Sequence, residues 1–242
     1  MEQSVRSPRS QISYQQSAIR DSRPCFGAIF DWDGVIIDSA ELHEQSWHRL
    51  ATGLGKPIAP GSFLRGFGMK SAWIIEKIHR WATEPAEVAR LTDRKEALYR
   101  EIVAQSEIAP LPGAVTWLER LHEAGVPCAV ASSTHRLNIE AVLDRIGLQN
   151  AFRAIVSAED VDPGKPNPEV FAKAAERLKI SPDRCVVFED AHVGIEAARA
   201  AGMKVVAVAT THSPEELKAA DLVVRRLDEL TVEQVASLVP RA

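Results

Sequence analysis

From residue 113 onward, short uninterrupted apolar runs alternate with helical segments, and this rhythm restricts the chain to few folds. The runs 126–131, 154–156, 185–188, 204–208 and 222–224 are too short for helices and show no polar alternation. Helical periodicity fills 113–124, 135–146, 168–179 and 192–201 between them. Strands that read as continuous apolar runs are buried on both faces, as in a parallel sheet covered by helices on both sides. The run 25–30 ahead of Asp31 must join the same sheet. The stretch between Ser39 and Ala109 holds no strand-like run and becomes an insertion after the first strand. Leu42, Trp47, Leu50 and Leu54 recur there at helical spacing up to Gly55. From about 71 to 106, Ile74, Ile75 and Ile78 and then Val88, Leu91, Leu98 and Ile102, which follow Pro85, again predict helix. Pro110-Leu111-Pro112-Gly113 closes the insertion with a stiff turn. The predicted architecture is α/β. A Rossmann-like parallel sheet core with helices on both faces (25–38 and 110–242) carries an inserted all-helical cap domain (39–109).

Composition narrows the partners. Lys+Arg 29 against Asp+Glu 33 leaves a net charge of −4, so no basic field points to nucleic acid. No run of eighteen apolar residues points to a membrane span. Cys25, Cys128 and Cys185 each lie in or beside an apolar run, which fits buried free thiols in a reducing compartment. Residues 1–24 hold six serines and four arginines without periodicity and are expected to be a disordered leader. Glu2 and Asp21 weigh against an organelle transit peptide, which stays the minor alternative. No apolar core for secretion is present, so a cytoplasmic monomer is expected. Trp32, Trp47, Trp73 and Trp81 are expected to pack the first strand end and the cap, not to stack bases.

In such a sheet, ligands bind at the carboxyl ends of the strands. The first strand ends in Asp31-Trp32-Asp33-Gly34; two like charges two residues apart demand a cation or a shared proton, and Gly34 permits a sharp turn. The second ends in Ser132-Ser133-Thr134, hydroxyls at a helix N-terminus. The third leads to Lys165 between Gly164 and Pro166, a restricted backbone suited to aiming an ammonium. The fourth ends in Glu189-Asp190, and an acidic pair exceeds what capping requires. Nucleophile, acid, metal ligands and cationic clamp are the parts that phosphoryl transfer needs.

Taken in order, Asp31-Trp32-Asp33-Gly34-Val35, Ser132, Lys165-Pro166 and Glu189-Asp190 resemble the four motifs of the haloacid dehalogenase superfamily, over residues 25 to about 226. The cap inserted after the first motif resembles the branch with β-phosphoglucomutase, sugar-phosphate phosphatases and phosphoglycolate phosphatase. Asp33 weighs against a dehalogenase, which generally lacks it. The resemblance implies Asp31 as the nucleophile that forms an aspartyl-phosphate and Asp33 as general acid/base. It implies Ser132 and Lys165 on the transferring phosphoryl oxygens. It implies Mg²⁺ on Asp31, on the Asp33 backbone carbonyl and on Asp190, with Glu189 ligating directly or through water.

For substrate binding, His43 and Lys95 resemble the family's positioning histidine and cap lysine, and 64–70 resembles its specificity loop, bringing in Arg65 and Lys70. The mutase has an arginine near the end of that loop, where this chain has Met69 and Lys70. Ser133, Arg136 and Asn167, neighbours of Ser132 and Lys165, complete the substrate-binding set. The expected activity is Mg²⁺-dependent hydrolysis of a small phosphorylated metabolite, a sugar phosphate foremost. The alternatives are β-phosphoglucomutase, phosphoglycolate phosphatase, or a non-catalytic binding protein, which would have lost the nucleophile retained here.

Overall fold

The structure, a computed structural model, describes residues 26–240; Cys25 and the expected leader 1–24 lie outside the described residues. Six strands form one parallel sheet in the order β3 (Ala154–Val156), β2 (Cys128–Ala131), β1 (Gly27–Phe30), β4 (Cys185–Glu189), β5 (Lys204–Val208) and β6 (Leu222–Val224). Every residue of β1, β2 and β4 is buried, as their uninterrupted apolar runs require. Alternation along the strands divides the interior into two layers. Phe30, Val130 and Phe188 pack with Trp117 and Leu121 of α5 (Ala114–Glu123) and with Ile139 and Val142 of α6 (Arg136–Ile146). Ile29, Ala129 and Val187 pack on the other face with Phe171 of α7 (Glu169–Leu178) and Ile195 of α8 (His192–Ala200). Phe30 stacks on Phe188 with ring centroids 4.5 Å apart, and Trp117 meets Phe188 edge-on. Truncating Phe188 to alanine at this junction would cost about 3–5 kcal/mol.

The insertion between β1 and α5 builds a helical layer with its own apolar cluster of Trp47, Leu50, Ile74, Ile75, Val88, Leu91 and Leu98. Helix α1 (Ala40–Leu54) stops at Gly55, whose φ of 62° releases the chain while its N–H caps α1 carbonyls. The helical region expected over 71–106 falls into two parts on either side of Pro85. A short α3 (Ser71–Trp73) runs into a π-helical turn, Ile74–His79, and Arg80 then turns the chain with φ 54°. α4 (Pro85–Gln105) restarts with Pro85 in its first turn, where its missing N–H costs nothing, and the Glu84 carboxylate accepts from Glu87 N–H at 2.9 Å.

The two connections to the cap run side by side. Gly34 turns with φ 77° and its N–H bonds Ile37 O at 2.8 Å; Leu111 N–H bonds Ile36 O at 2.8 Å. Register pairs Phe30 with both Val130 and Phe188, so Asp31, Ser132, Glu189 and Asp190 emerge together at one edge of the sheet.

Candidate active site

Four charged side chains meet where β1 and β4 end. Lys165 is 2 % exposed, and its ammonium donates to Asp31 Oδ1 at 2.8 Å and Glu189 Oε1 at 2.7 Å while lying 5.0 Å above the Phe171 ring. Glu189 uses its other oxygen to accept from the backbone N–H groups of Asp190 and Ala191 at 2.5 and 2.8 Å. Asp190 Oδ2 accepts from the Thr211 hydroxyl, whereas its buried Oδ1 has no hydrogen-bond partner. Burial pushes the Asp31 carboxyl up to about 7, Lys165 pulls it down, and Glu189 and Asp33 add to the rise. The same burial, with Glu189 and Asp31 as neighbours, holds the Asp190 carboxyl well above the usual carboxylate range. Burial works to lower the Lys165 ammonium, but the two carboxylates outweigh it and hold it above the ordinary lysine range.

This cluster fits a divalent cation. Oxygens of Asp31, Glu189 and Asp190 lie within 4.8 Å of one another, and with all three ionised they would outnumber the one ammonium by two charges, an excess that a divalent cation balances and that burial alone resists. An orphaned carboxylate oxygen inside such a cluster costs free energy that an oxygen-seeking ion removes. Two glycines keep the space open: a Cβ on Gly34 would fall 1.9 Å from Asp190 Oδ2, and one on Gly194 would fall 1.6 Å from Glu189 Oε1.

Asp33 belongs to a different set of contacts. Its carboxylate faces the same cavity as that of Asp31 and its charge helps to raise Asp31, but its hydrogen bonds go to other partners than the acidic cluster. Oδ1 accepts from the Ser39 hydroxyl and faces His43 Nε2 at 3.3 Å; Oδ2 accepts from Thr134 Oγ1 at 2.5 Å. Burial works to raise this carboxyl, but His43 and then the two hydroxyls outweigh it and hold it at about 2. Lys95 is no surface lysine: it is 2 % exposed, with its ammonium 2.8 Å from His43 Nδ1 and 3.2 Å from Glu96 Oε2. An ammonium only donates, so Nδ1 accepts and His43 Nε2 carries its proton toward Asp33. The His43 ring stacks on Tyr99 at 4.1 Å. Glu96 closes the chain of contacts by accepting from Ser71 Oγ at 2.5 Å and Asn138 Nδ2 at 2.6 Å. Burial opposes its charge, yet Lys95 foremost holds its carboxyl at about 2.

A cavity of about 50 Å³ lies between these groups, lined by Asp31, Asp33, Ser132, Ser133 and Thr134 below and by His43, Lys95 and Glu96 above. Trp47, Phe63, Phe67, Met69 and Ile74 supply its apolar side. Lys165 reaches it through Asp31. The other expected substrate contacts are not brought to it. Arg136 sits beside the site but spends its guanidinium on Ile155 O and Asp160 Oδ2, both at 2.8 Å. Lys70 donates to Val161 O at 2.8 Å, Arg65 to Pro60 O at 3.4 Å, and the Asn167 side chain accepts from Glu169 N–H at 3.0 Å. Sequence reasoning passed over Ser39, Thr134 and Thr211 as partners of the aspartates. Thr211 had a signal, since it follows the fifth apolar run as Asp190 follows the fourth. Glu96 and Asn138 had none, because their pairing joins residues 42 apart in sequence.

Over residues 27–202 the sequence matches the haloacid dehalogenase-like hydrolase family. It is similar to the chloroplastic 5-amino-6-(5-phospho-D-ribitylamino)uracil phosphatase of Arabidopsis thaliana, 41% identical over 209 residues, covering 85% of this chain and 56% of that one. The chain thus spans little more than half the length of that relative. It is 36% identical over 186 residues to fructose-1-phosphate phosphatase YqaB of Escherichia coli (strain K12), covering 75% of this chain and 95% of that one. The crystal structure of β-phosphoglucomutase from Clostridium difficile matches with a TM-score of 0.78 at 28% identity, over 88% of this chain and 96% of that one.

Proposed function

Because this chain belongs to the haloacid dehalogenase-like hydrolases, enzymes of phosphoric monoester chemistry, we propose that it is a Mg²⁺-dependent phosphatase working through an aspartyl-phosphate on Asp31. The observation that carries this reading is the buried cluster of Asp31, Glu189 and Asp190 against one ammonium, with Asp190 Oδ1 left without a partner. Mg²⁺ held by these carboxylates would supply charge neutralisation for the phosphate and the attacking oxygen. The chain's own residues do the rest. Lys165 fixes Asp31 Oδ1 and leaves Oδ2 to attack phosphorus. Ser132, beside Asp31 in the cavity, is placed to donate to a phosphoryl oxygen.

Asp33 exchanges the proton. Held at about 2, it is ionised in the protein without substrate, the form that accepts a proton from the attacking water in the second half-reaction. A phosphate dianion arriving beside it raises its proton affinity, the form that protonates the leaving oxygen in the first. Lys95 acts through His43 and is a positioning residue. Among the residues lining the cavity, Lys95 is the sole Lys or Arg and is already paired with Glu96. A second phosphate therefore finds little to hold it, which favours hydrolysis of a monophosphate over intramolecular transfer. The substrate is a small phosphorylated metabolite, with sugar and sugar-alcohol phosphates first on the list for assay.

The test is metal-stripped protein incubated with a panel of such esters, with and without Mg²⁺, measuring both free phosphate and isomer formation. Free phosphate is expected only with the metal, and Asp31→Asn is expected to abolish it while leaving the protein folded. Full turnover in excess chelator, or isomer formation outrunning phosphate release, would overturn the reading.

A further inference from the structure

Two imidazoles and a carboxylate converge on the outer side of the same sheet edge. His192 is the first residue of α8, His212 follows Thr211 in the connection from β5 to β6, and Glu216 lies further along that connection. One ring nitrogen of each histidine and one carboxylate oxygen of Glu216 lie within 4.8 Å of one another. The two rings stand with centroids 4.5 Å apart and planes tilted by 48°. None of the three residues lines the cavity over Asp31, so the phosphatase chemistry leaves them without a task.

Tertiary contacts hold this convergence in place. Thr210 Oγ1 donates to Gly34 O and Thr211 Oγ1 to Asp190 Oδ2, which fastens the start of the connection to the strand ends. Leu217, fully buried, anchors it beyond Glu216. Between these anchors, Glu216 Oε2 accepts from the Ser213 hydroxyl at 2.7 Å and from Ser213 N–H at 3.0 Å. Metal-binding carboxylates are oriented by hydrogen bonds of this kind. Among the described residues neither imidazole makes a hydrogen bond or an ion pair, so no protein group competes for the ring nitrogens. Ligands about 2.0–2.2 Å from one tetrahedral ion stand roughly 3–3.5 Å apart, so the three atoms must draw in by about an ångström. His192 and Glu216 are exposed, and small side-chain rotations suffice.

The donor set selects the ion. Mg²⁺ seeks oxygen and keeps its waters, whereas imidazole suits Zn²⁺ and its transition-metal neighbours. Two imidazoles and one carboxylate, with a position left for water, match zinc centres that have three protein ligands. The dipole of α8 opposes positive charge at its first turn, and the Glu216 carboxylate offsets it. The catalytic cluster, by contrast, offers only the oxygens of Asp31, Glu189 and Asp190.

We propose that His192, His212 and Glu216 form an accessory site for a divalent ion that favours nitrogen, Zn²⁺ foremost, and that the ion clips the β5–β6 connection to the start of α8. Residues 209–221 of that connection hold no helix or strand, and tying them to a fixed helix removes freedom that the unclipped loop keeps. The clip adjoins the catalytic machinery. Thr211 and His212 are consecutive, and His192 lies two residues past Asp190, so the ion steadies the Thr211 contact that orients Asp190. The site stands whether or not the chain is a phosphatase.

The test uses the full chain, stripped with chelator, saturated with Mg²⁺ and then titrated calorimetrically with Zn²⁺. One Zn²⁺ per chain is expected to bind in the presence of Mg²⁺, and at a hundredfold over its Kd to raise Tm by about 5–10 °C. His192→Ala and His212→Ala should each weaken that binding at least about a hundredfold, and Ser213→Ala, which loses only an orienting contact, about tenfold. In chelator all three variants should melt within about 2 °C of the parent, which separates loss of the site from loss of the fold. A crystal of the Zn²⁺-loaded parent should show its anomalous-scattering peak between His192 and His212, a readout that needs no variant. No Zn²⁺ binding over Mg²⁺, binding that survives in both histidine variants, or a peak elsewhere would overturn the inference.

Discussion

Replacing Lys165 by methionine removes the one cation in the buried carboxylate cluster while keeping an apolar stem of similar length against Phe171. Lys165 is hydrogen-bonded to two carboxylates at 2.8 and 2.7 Å, and all three groups are 5 % exposed or less. Breaking a buried pair by deleting one partner costs about 3–5 kcal/mol, because the other charge stays desolvated and unpaired. A domain of this size loses about 2–4 °C of Tm per kcal/mol, so the chelated variant should melt roughly 6–20 °C below the parent at pH 8. The deficit should shrink as pH falls. The Asp31 carboxyl is raised to about 7, above its unfolded value, so its favourable contribution is complete below the unfolded pKa and is lost as pH rises through the folded one. Lys165 lowers that folded pKa, so removing the lysine extends the loss to higher pH, and the two proteins separate above about pH 7. Calorimetry of both proteins in chelator at pH 5 and pH 8 measures this. A deficit of under about 2 °C at pH 8, or one that grows toward pH 5, would refute the charge argument.

Asp33→Asn removes the proton carrier, so alkyl phosphates should lose about 10²–10⁴-fold in kcat, whereas p-nitrophenyl phosphate, whose leaving group needs no proton, should lose far less in formation of the phospho-enzyme measured by burst kinetics. Lys95→Met leaves Glu96 buried without its ammonium and His43 Nδ1 without its donor; kcat should fall on ester and generic substrate alike, with the pH–rate profile displaced because Asp33 loses an oriented partner. An unmoved pH profile would make Lys95 a purely structural residue. Gly194→Ala should gain up to about 1 kcal/mol in helix propensity yet end no more stable than the parent. Its Cβ displaces a Glu189 carboxylate pinned by Lys165 and two backbone N–H groups, so the half-saturating Mg²⁺ concentration for activity should rise at least about tenfold.

The sheet and its strand ends were legible because their signals are local. A fully buried parallel strand has no choice but to be apolar along its length, and the first polar residue after it stands at the ligand edge. That logic singled out Asp31, Ser132, Glu189 and Asp190 from their neighbours, whereas Lys165, nine residues past β3, was marked by its Gly164 and Pro166 flanks and by the family resemblance; carried to the fifth strand, the same logic points to the Thr210-Thr211 pair, of which Thr211 meets Asp190. It did not give the partners of Asp33, whose carboxylate shares the cavity with Asp31 but is held by Ser39, His43 and Thr134, residues 6, 10 and 101 positions away.

The cap was legible as helical but not in its contacts, and the reason is the same for Lys95, Arg136 and Lys70. A helix position three or four residues away reports only a neighbour on the same surface, and on that measure Lys95 has no partner. Its acid is the adjacent Glu96, which α4 turns inward because Ser71 from α3 and Asn138 from α6 both converge on it. Arg136 looks free for an anion until β3 brings Ile155 O and the loop beyond it brings Asp160. Lys70 looks like a phosphate ligand until the cap lies on the core and offers Val161 O. Lys95 and Lys70 are decided by where the cap rests on the sheet domain and Arg136 by how β3 and the turn after it pack beside α6, tertiary relations that no local pattern encodes. The same dependence gives the contacts a function. Ser39 and His43, the latter backed by Lys95, reach Asp33 from cap-side positions, while Thr134 reaches it from the core, so the full set of contacts on Asp33 forms only where the two meet. Opening the cap would take His43, the largest influence holding the Asp33 carboxyl down, away from it. On the proposed phosphatase reading, proton transfer by Asp33 would then be tied to a closed site, where the leaving group is shielded from water.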